Sequence, residues 1–221
     1  MPGSLFRWML GLLVAVGVAS ASAGVERTLT WRDLTPKEPD VRAPFAHLKG
    51  VQFAELFELY DLKNWRRLGN DADKAGLDEE IADLTTRLSG QNLDVPALLK
   101  KLTDGMKAYR RYQSSPVPAL DGQLIRLPGY VLPLEFGGQA VSEFFLVPTV
   151  GACIHTPPPP ANQIVLVKLN QSYKVNGLYD AVWVTGRLKV VKSDRKLGYR
   201  DGVGGVVSTY ELEGTRIVPY E

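Results

Sequence analysis

The most reactive side chains of this sequence lie in one segment, GACIHTPPPPANQ, at positions 151–163, which we call the Cys–His loop. Cys153 is the single cysteine of the chain, and His155 is one of its two histidines, the other being His47. Side chains two residues apart project to the same side of an extended backbone, so the thiol and the imidazole should lie together. Such a pair can be half of a metal site, a thiol with its base, or an inert buried cysteine beside a histidine that caps loop carbonyls.

A run of four prolines stiffens the loop next to this pair. Each proline fixes φ near −65°, so the run favours a polyproline II rod that presents its neighbours with little loss of entropy. The two amide side chains that follow the prolines could orient an imidazole ring or simply satisfy the turn. The scaffold of the loop therefore comprises Pro157, Pro158, Pro159, Pro160, Asn162 and Gln163.

A metal site is the first chemical interpretation of the pair, with zinc as the candidate metal. A closed zinc site takes four ligands, so the thiolate and the imidazole alone would bind the metal weakly. Two glutamates flank the neighbouring predicted strands and could supply carboxylate oxygens. The predicted ligand set is therefore Cys153, His155, Glu135 and Glu143.

A small thiol-dependent enzyme is the alternative interpretation. It would need His155 at hydrogen-bond distance from the sulfur of Cys153 and a third group that orients the ring. Disulfide exchange normally needs a second, resolving cysteine, which the sequence lacks. The sequence also contains no glycine-rich phosphate loop, no G-x-S-x-G elbow and no H-E-x-x-H motif. The residues therefore favour a non-enzymatic protein and assign no catalytic residue.

The Cys–His loop lies within a region whose hydrophobic pattern predicts strands. These strands are LIRLPGYVLPL, EFFLVPT, IVLVKL, AVWVTGRLKVV and VVSTYELEGTRIVPY. Five strands with one irregular connection predict an OB-like β-barrel over residues 119–221, with a five-stranded open sandwich as the alternative. Gly186, inside the fourth strand, predicts a bend or a bulge. The glycine-rich stretch KLGYRDGVGGVVS predicts an Ω-loop at the mouth of the barrel.

Helices are predicted before the barrel, so the expected fold class is α+β. Apolar residues recur at three- and four-residue spacing through residues 51–115, which predicts two or three amphipathic helices whose apolar faces need a partner. Asp94 marks the start of the last of them. Residues 24–50 are polar and rich in proline, which predicts an extended lead-in. Trp31 is the exception, because its large aromatic ring should pack onto the main body.

Residues 1–23 predict a secretory signal peptide. Arg7 precedes an apolar stretch over residues 9–19, and two overlapping A-x-A cleavage sites follow. The apolar stretch is shorter than the roughly 20 residues that a membrane-spanning helix needs. A buried N-terminal helix or a retained membrane anchor is the alternative. Cleavage after Ala21 or Ala23 would give an exported, soluble protein without a transmembrane span.

The composition is that of an ordinary globular protein. Hydrophobic residues make up 45% and charged residues 23% of the sequence, which excludes disorder, collagen and coiled coil as the main architecture. The net charge of +2 is too close to zero for a dedicated nucleic-acid binder. A solvated strand face explains the one basic stretch better than contact with anionic lipid or with a membrane partner does. That stretch comprises Arg187, Lys189, Lys192, Arg195, Lys196 and Arg200.

Residues 119–220 resemble a family of exported bacterial proteins known only as a domain of unknown function. The residues that carry the resemblance are G-Y-V-x-P-L-E, E-F-F-L-V-P and G-A-C-I-H-x-P-P-P-P-x-N-Q. The resemblance implies a periplasmic or lipid-anchored accessory protein, connected with an ABC transporter or another envelope assembly and with zinc limitation. This chain lacks the anchoring cysteine of lipid-anchored relatives. The predicted function is therefore a periplasmic, non-enzymatic binding or accessory protein related to zinc.

Overall fold

The computed structural model describes residues 25–68, 74–134, 140–149, 159–177, 180–199 and 202–220. In these ranges, helices occupy the N-terminal half of the chain and strands occupy the C-terminal half. The mixed α+β class that the sequence predicts is therefore confirmed. No helix within the described ranges is both long enough and apolar enough to cross a membrane.

Three α-helices form the helical half of the described chain: α1 over Gly50–Leu68, α2 over Lys74–Ser89 and α3 over Val95–Ser114. The start of α3 is confirmed, because the carboxylate of Asp94 accepts a hydrogen bond from the Ala97 N–H at 3.1 Å. The apolar faces of the helices pack on one another and on two residues of the lead-in. This helical cluster comprises Phe45, Leu48, Leu56, Leu59, Tyr60, Leu84, Leu88, Val95, Leu98 and Leu102.

Six strands form one sheet in the described part of the chain. They are β1 over Arg27–Thr28, β2 over Leu124–Pro133, β3 over Ala140–Val147, β4 over Val165–Lys174, β5 over Ala181–Tyr199 and β6 over Gly202–Pro219. The last five are the strands that the sequence predicts. The additional strand, β1, comes from the lead-in and pairs in parallel with β2. Two residues are too few to show a hydrophobic alternation, so the sequence pattern does not reveal this strand.

The five long strands pair in a ring. Their order is β2-β3-β4-β6-β5, and β5 pairs back onto β2. All of these pairs are antiparallel except β4 and β6, which run in parallel from Val165 opposite Tyr210 to Leu169 opposite Gly214. Apolar side chains of the strands pack together with two leucines of the lead-in. This strand cluster comprises Leu29, Leu34, Leu120, Ile125, Leu127, Val131, Phe144, Leu146, Val165, Val167, Val182, Val184, Leu188, Tyr210 and Leu212.

Gly186 lies at a bulge between β5 and β6, as the sequence predicts, and the extra residue of the bulge is Thr215 on β6. The register between β5 and β6 shifts between Thr185 and Gly186. A Cβ atom at position 186 would overlap the carbonyl oxygen of Glu213 and would lie 2.8 Å from the Cα atom of Gly214. The two backbones can therefore approach this closely only because position 186 carries no side chain.

The glycine-rich stretch between β5 and β6 does not form the predicted Ω-loop. Both strands continue into a long hairpin, with Lys196 opposite Gly205 and Tyr199 opposite Gly202. The hairpin extends β5 to 19 residues and β6 to 18 residues. The prediction was wrong because it took glycine as a sign of a loop, whereas glycine has the same backbone N–H and C=O groups that a strand ladder uses.

The lead-in is less extended than the sequence predicts. Besides β1, it contains two 3-10 turns, over Trp31–Leu34 and Ala43–Phe45. In the first turn, Asp33 accepts hydrogen bonds from the N–H and the hydroxyl of Thr30, each at 2.7 Å, and these bonds lower the pKa of Asp33. The last residue of each turn is fully buried, one in the strand cluster and the other in the helical cluster. The lead-in thus contributes to both hydrophobic cores.

Candidate functional site

Tyr210 on β6 joins three segments that are distant in sequence. Its side chain is fully buried. The phenolic oxygen accepts a hydrogen bond from the Val117 N–H at 2.6 Å and donates one to the Leu34 carbonyl at 2.8 Å. Burial raises the pKa of Tyr210, and the hydrogen bond from Val117 offsets only part of that rise. The lead-in and the segment after α3 are therefore both fixed to the strand ring at this residue.

The C-terminal end of the Cys–His loop is attached to the same region. The side-chain amide of Asn162 donates to the Tyr112 carbonyl at 2.7 Å and to the Ser115 carbonyl at 3.1 Å. The side-chain amide of Gln163 donates to the Trp31 carbonyl at 2.9 Å. Both amide nitrogens thus bind backbone carbonyls, at the end of α3 and in the lead-in, which is the simpler of the two roles that the sequence suggests for them.

A small aromatic cleft lies where the chain enters and leaves the loop, and we call it the Trp31 cleft. Its volume is about 230 Å³. Pro148, shortly before the loop, lines it, and so does Trp31, to which the far end of the loop is bonded. The indole N–H of Trp31 donates to the Pro128 carbonyl at 2.7 Å, which fixes the ring as one wall. Tyr130 and Tyr220 supply further aromatic lining.

Gly129 also lines the Trp31 cleft, and its lack of a side chain has a local cause. A Cβ atom at this position would lie 2.7 Å from the Cγ atom of Leu146 and 2.9 Å from the carbonyl oxygen of Val147. Glycine therefore permits the close approach of β2 and β3 beneath the cleft. This explains physically the first residue of the G-Y-V-x-P-L-E element.

A cationic and aromatic stack continues from the cleft over the outside of the sheet. The rings of Tyr220 and Trp183 stack with centroids 5.3 Å apart, and the guanidinium of Arg126 lies 4.4 Å from the centroid of Trp183. The Nε atom of Arg126 is buried and has no hydrogen-bond partner in the described part of the chain. The described lining of the cleft contains no carboxylate, imidazole or thiol. The arrangement is therefore suited to holding a flat or apolar group beside a positive charge.

Half of the predicted site lies outside the described residues, namely Glu135, Cys153, His155, Pro157 and Pro158. Pro159 and Pro160 are described and lead into a 3-10 turn over Ala161–Gln163. Glu143 lies on β3, where its carboxylate accepts a hydrogen bond from the Nε of Arg195 at 3.2 Å. Among the described residues, no group of three or more His, Cys, Asp or Glu side chains is placed to hold a metal ion.

The basic stretch of β5 has acceptors close by. Arg195 pairs with Glu143, and Arg187 donates to the Gly122 carbonyl. Lys189 pairs with Glu213, whose carboxylate raises the pKa of that lysine. These contacts favour the interpretation of the stretch as a solvated strand face.

Sequence reasoning identifies Trp31 of the site but misses two of its tyrosines. Trp31 was expected to pack onto the main body, and its contact with the strand cluster confirms this. The hydrogen bonds of Tyr210, in contrast, are not readable from TYELEG, where the tyrosine simply fits a strand alternation. Tyr130 is part of the G-Y-V element, but nothing in the sequence brings it next to Tyr220 at the end of the chain.

A family match covers the lead-in, the helices and the strands together. The profile of the family described as "Protein of unknown function (DUF3299)" matches residues 31–219. The chain belongs to the DUF3299 family. This confirms the predicted resemblance to a domain of unknown function, while export, zinc and transport stay predictions. The match begins at Trp31 and therefore includes both ends of the Cys–His loop and every described lining residue of the Trp31 cleft except Tyr220.

One solved structure of a DUF3299 protein is similar to this chain. It is the crystal structure of a DUF3299 family protein from Pseudomonas aeruginosa PAO1. The two sequences are 27% identical, and the alignment covers 90% of this chain and 98% of that one, with a TM-score of 0.46. No curated protein matches this chain.

Proposed function

We propose that this DUF3299 protein is an exported, periplasmic binding or accessory protein that performs no catalysis and acts with an ABC transporter or a related envelope assembly. Zinc is the proposed ligand of its Cys–His loop. The observation that supports this function is the attachment of the loop at both ends beside one cleft. Gln163 is hydrogen-bonded to Trp31, and Pro148 lines the cleft that Trp31 walls.

Attachment at both ends favours ligand binding for an entropic reason. A loop whose ends are fixed loses less conformational freedom when a ligand orders it than a free loop does. Asn162 adds to this restriction, because it is 1% exposed and holds two backbone carbonyls.

The chemistry of the loop supports zinc as the ligand. A thiolate and an imidazole are preferred zinc ligands, and the proposed set is Cys153 and His155 with Glu135 and Glu143. Glu143 already pairs with Arg195, so its entry into the shell would compete with that ion pair. Glu135, directly after β2, is therefore the stronger third candidate. A partner protein could supply the remaining ligand.

We also propose that the ring of five strands is an OB-like barrel. The pairing order β2-β3-β4-β6-β5 with return to β2 supports this, as does the parallel contact between β4 and β6 in an otherwise antiparallel ring. A five-stranded Greek-key barrel of this kind commonly uses the loops between its strands to bind ligands. The Cys–His loop connects β3 to β4 and would be such a loop.

Calorimetric titration with zinc tests the function. The exported protein should bind zinc with release of protons, because the thiolate is the ligand. Cys153→Ser and His155→Ala should each weaken binding at least about tenfold. His47→Ala changes the other histidine, which is exposed in the lead-in, and should bind as the wild type does. Equal, millimolar binding by all four proteins would contradict the zinc proposal.

The same preparation separates binding from thiol chemistry and tests export. Zinc should slow alkylation of Cys153, whereas a thiol enzyme would react fast without metal and with a pH profile set by His155. N-terminal sequencing of the exported protein should give Ser22 or Gly24 as the first residue. Retention of Met1 on a membrane-bound product would contradict the proposed location.

A further inference from the structure

An apolar stripe of α1 extends from the edge of the helical cluster, against which Phe53, Phe57 and Leu62 pack partly, to the exposed surface. Leu56, Leu59 and Tyr60 are buried against the other helices. Trp65, in contrast, is 72% exposed and Leu68 is 75% exposed, although both are large and apolar. Apolar side chains of this size are normally buried, so an apolar stripe that continues into solvent indicates a surface that another molecule covers.

The stripe forms a shallow groove of about 810 Å³, which we call the α1 groove. Its described lining comes entirely from α1, so the described residues supply one wall of the groove. The residues that define it here are Phe53, Phe57, Glu58, Asp61, Leu62 and Trp65. The length from Phe53 to Trp65 is about 18 Å at 1.5 Å per residue, which matches about three turns of a second helix. None of these residues lines the Trp31 cleft.

The charges of the α1 groove decide which partner fits. Among the described residues, the lining contains two carboxylates, those of Glu58 and Asp61, and no basic side chain. Within the described chain neither carboxylate forms a salt bridge, and both side chains are exposed. An anionic lipid surface would be repelled by these two charges, whereas a basic side chain on a partner would be attracted. The groove is therefore complementary to an apolar segment that also carries basic residues.

Contacts at the edge of the groove also show that a basic group can pack on its aromatic residues. The guanidinium of Arg42 lies 3.8 Å from the centroid of the Phe53 ring, so a cation already occupies one aromatic face of the stripe. Beyond Phe57 the apolar surface continues into a second cavity of about 540 Å³, which Met106 and Glu38 help to line. Two acidic residues, Glu38 and Asp40, and one basic residue, Arg42, thus accompany the apolar surface there.

We propose that the α1 groove is a docking site for a basic amphipathic helix of a partner protein, which packs its apolar face on Phe57 and Trp65 and pairs its basic residues with Glu58 and Asp61. This mode of recognition places the anchors of the bound helix three and four residues apart. The proposal does not rest on zinc or on the Cys–His loop. If the groove proposal fails, the proposed function stands, and if the proposed function fails, the groove proposal stands.

The test uses the full exported protein and a defined probe. The probe is a labelled helix of leucine and lysine, about 14 residues or roughly four turns long, with all leucines on one face. Its control has glutamate in place of each lysine. Fluorescence anisotropy should show binding of the leucine–lysine helix only, with an affinity that falls as salt is added. No binding of this helix, or equal binding of the glutamate control, would overturn the proposal.

Variants locate the binding on α1. Trp65→Ala should weaken binding at least about tenfold, because exposed aromatic anchors dominate such interfaces. Glu58→Gln with Asp61→Asn should weaken it severalfold and flatten the salt dependence. Asp194→Asn removes one exposed carboxylate on β5 and should have no effect. All four positions are exposed, so unfolding curves like that of the wild type should confirm that the variants fold.

Two other occupants would be recognised by their own results. Vesicles of anionic phosphatidylglycerol that bind through Trp65, independently of Glu58 and Asp61, would indicate a membrane surface and overturn the proposal. Self-association of the wild type that Trp65→Ala abolishes would indicate a second copy of this chain and would also overturn it. Unchanged binding of the leucine–lysine helix by Trp65→Ala would show that the α1 groove is not the site.

Discussion

Asn162 shows how one buried amide can connect the two halves of the molecule. Its side chain is 1% exposed, and it lies in the turn that ends the Cys–His loop. Its amide nitrogen serves the Tyr112 carbonyl at the end of α3 and the Ser115 carbonyl just after it. Without this donor, the Ser115 carbonyl would lose the amide of Asn162, and the Tyr112 carbonyl would keep only its bond from the Ser115 N–H at 3.2 Å.

We predict that Asn162→Ala lowers the free energy of unfolding by about 1–3 kcal/mol, because it removes both hydrogen bonds of a buried amide. Urea denaturation followed by circular dichroism measures this change. Asn170→Ala is the matched control. Asn170 is exposed on β4, so its substitution should change stability by less than about 0.5 kcal/mol. Equal effects of the two substitutions would show that the Asn162 amide does not stabilise the junction.

Tyr210 makes stability depend on alkaline pH. Because burial raises its pKa above the ordinary value near 10, the unfolded chain loses the phenolic proton at lower pH than the folded protein does. The contribution of this group is thus complete below pH about 10 and is lost as pH rises through the raised pKa. We predict that Tyr210→Phe removes this part of the alkaline slope and also costs about 1–3 kcal/mol at neutral pH, since the Val117 N–H loses its acceptor.

Denaturation curves measured from pH 8 to pH 11 test the predicted effect of the Tyr210 hydroxyl on stability. Tyr220→Phe is the control, because that side chain is 53% exposed and forms no side-chain hydrogen bond in the described structure. The control should keep both the neutral stability and the alkaline slope of the wild type. An unchanged slope in Tyr210→Phe would contradict the assignment.

At the scale of elements, the pairing of β5 with β6 requires a residue without a side chain where the two backbones lie closest. Gly186 faces the backbone of Glu213 and Gly214, which cannot move away as a flexible side chain would. We predict that Gly186→Ala destabilises the protein by about 3 kcal/mol through overpacking. Thermal unfolding measures the loss. Gly205→Ala lies in the same hairpin with only Asp194 Oδ1 at 3.5 Å, and it should unfold like the wild type.

The sequence predicts the helices and the five long strands because each repeats its apolar residues over several turns or several pairs. It also predicts the bulge at Gly186 and the capped start of α3 at Asp94, since both follow from the chemistry of single residues. The strand β1 is not readable in this way, and neither is the order in which the strands of the ring pair with one another. Strand pairing joins residues that are distant in the sequence, and β1 is too short to show a hydrophobic period.

For the site, the sequence identifies the loop and its two amides but not their partners. Asn162 and Gln163 stand out because they follow four prolines, yet their acceptors on α3 and in the lead-in are far away in the sequence. The Trp31 cleft is unpredicted for the same reason, because its walls come from the lead-in, from β2 and from the end of the chain. The local sequence does not reveal contacts between segments that are so far apart in the chain.

At the scale of the whole molecule, the lead-in holds the two halves together. It places leucines in the strand cluster and Phe45 and Leu48 in the helical cluster. We predict that Leu34→Ala lowers the free energy of unfolding by about 2–5 kcal/mol, as expected for a leucine with no exposed surface. The control is Val25→Ala, at a position 92% exposed, with an effect below about 0.5 kcal/mol. Equal stabilities in urea would show that the lead-in is not part of the core.

The hydrogen bond between Tyr210 and Leu34 also bears on the order in which parts of a newly synthesised chain can fold. The two residues are 176 positions apart, so Leu34 leaves the ribosome long before its partner is synthesised. At about 5–20 residues per second, the delay is roughly 10 to 35 s. The helical cluster is assembled from residues close together in the sequence and can form during this interval. The strand ring must wait, with its first leucines exposed to water and to chaperones, until the last strand has been translated.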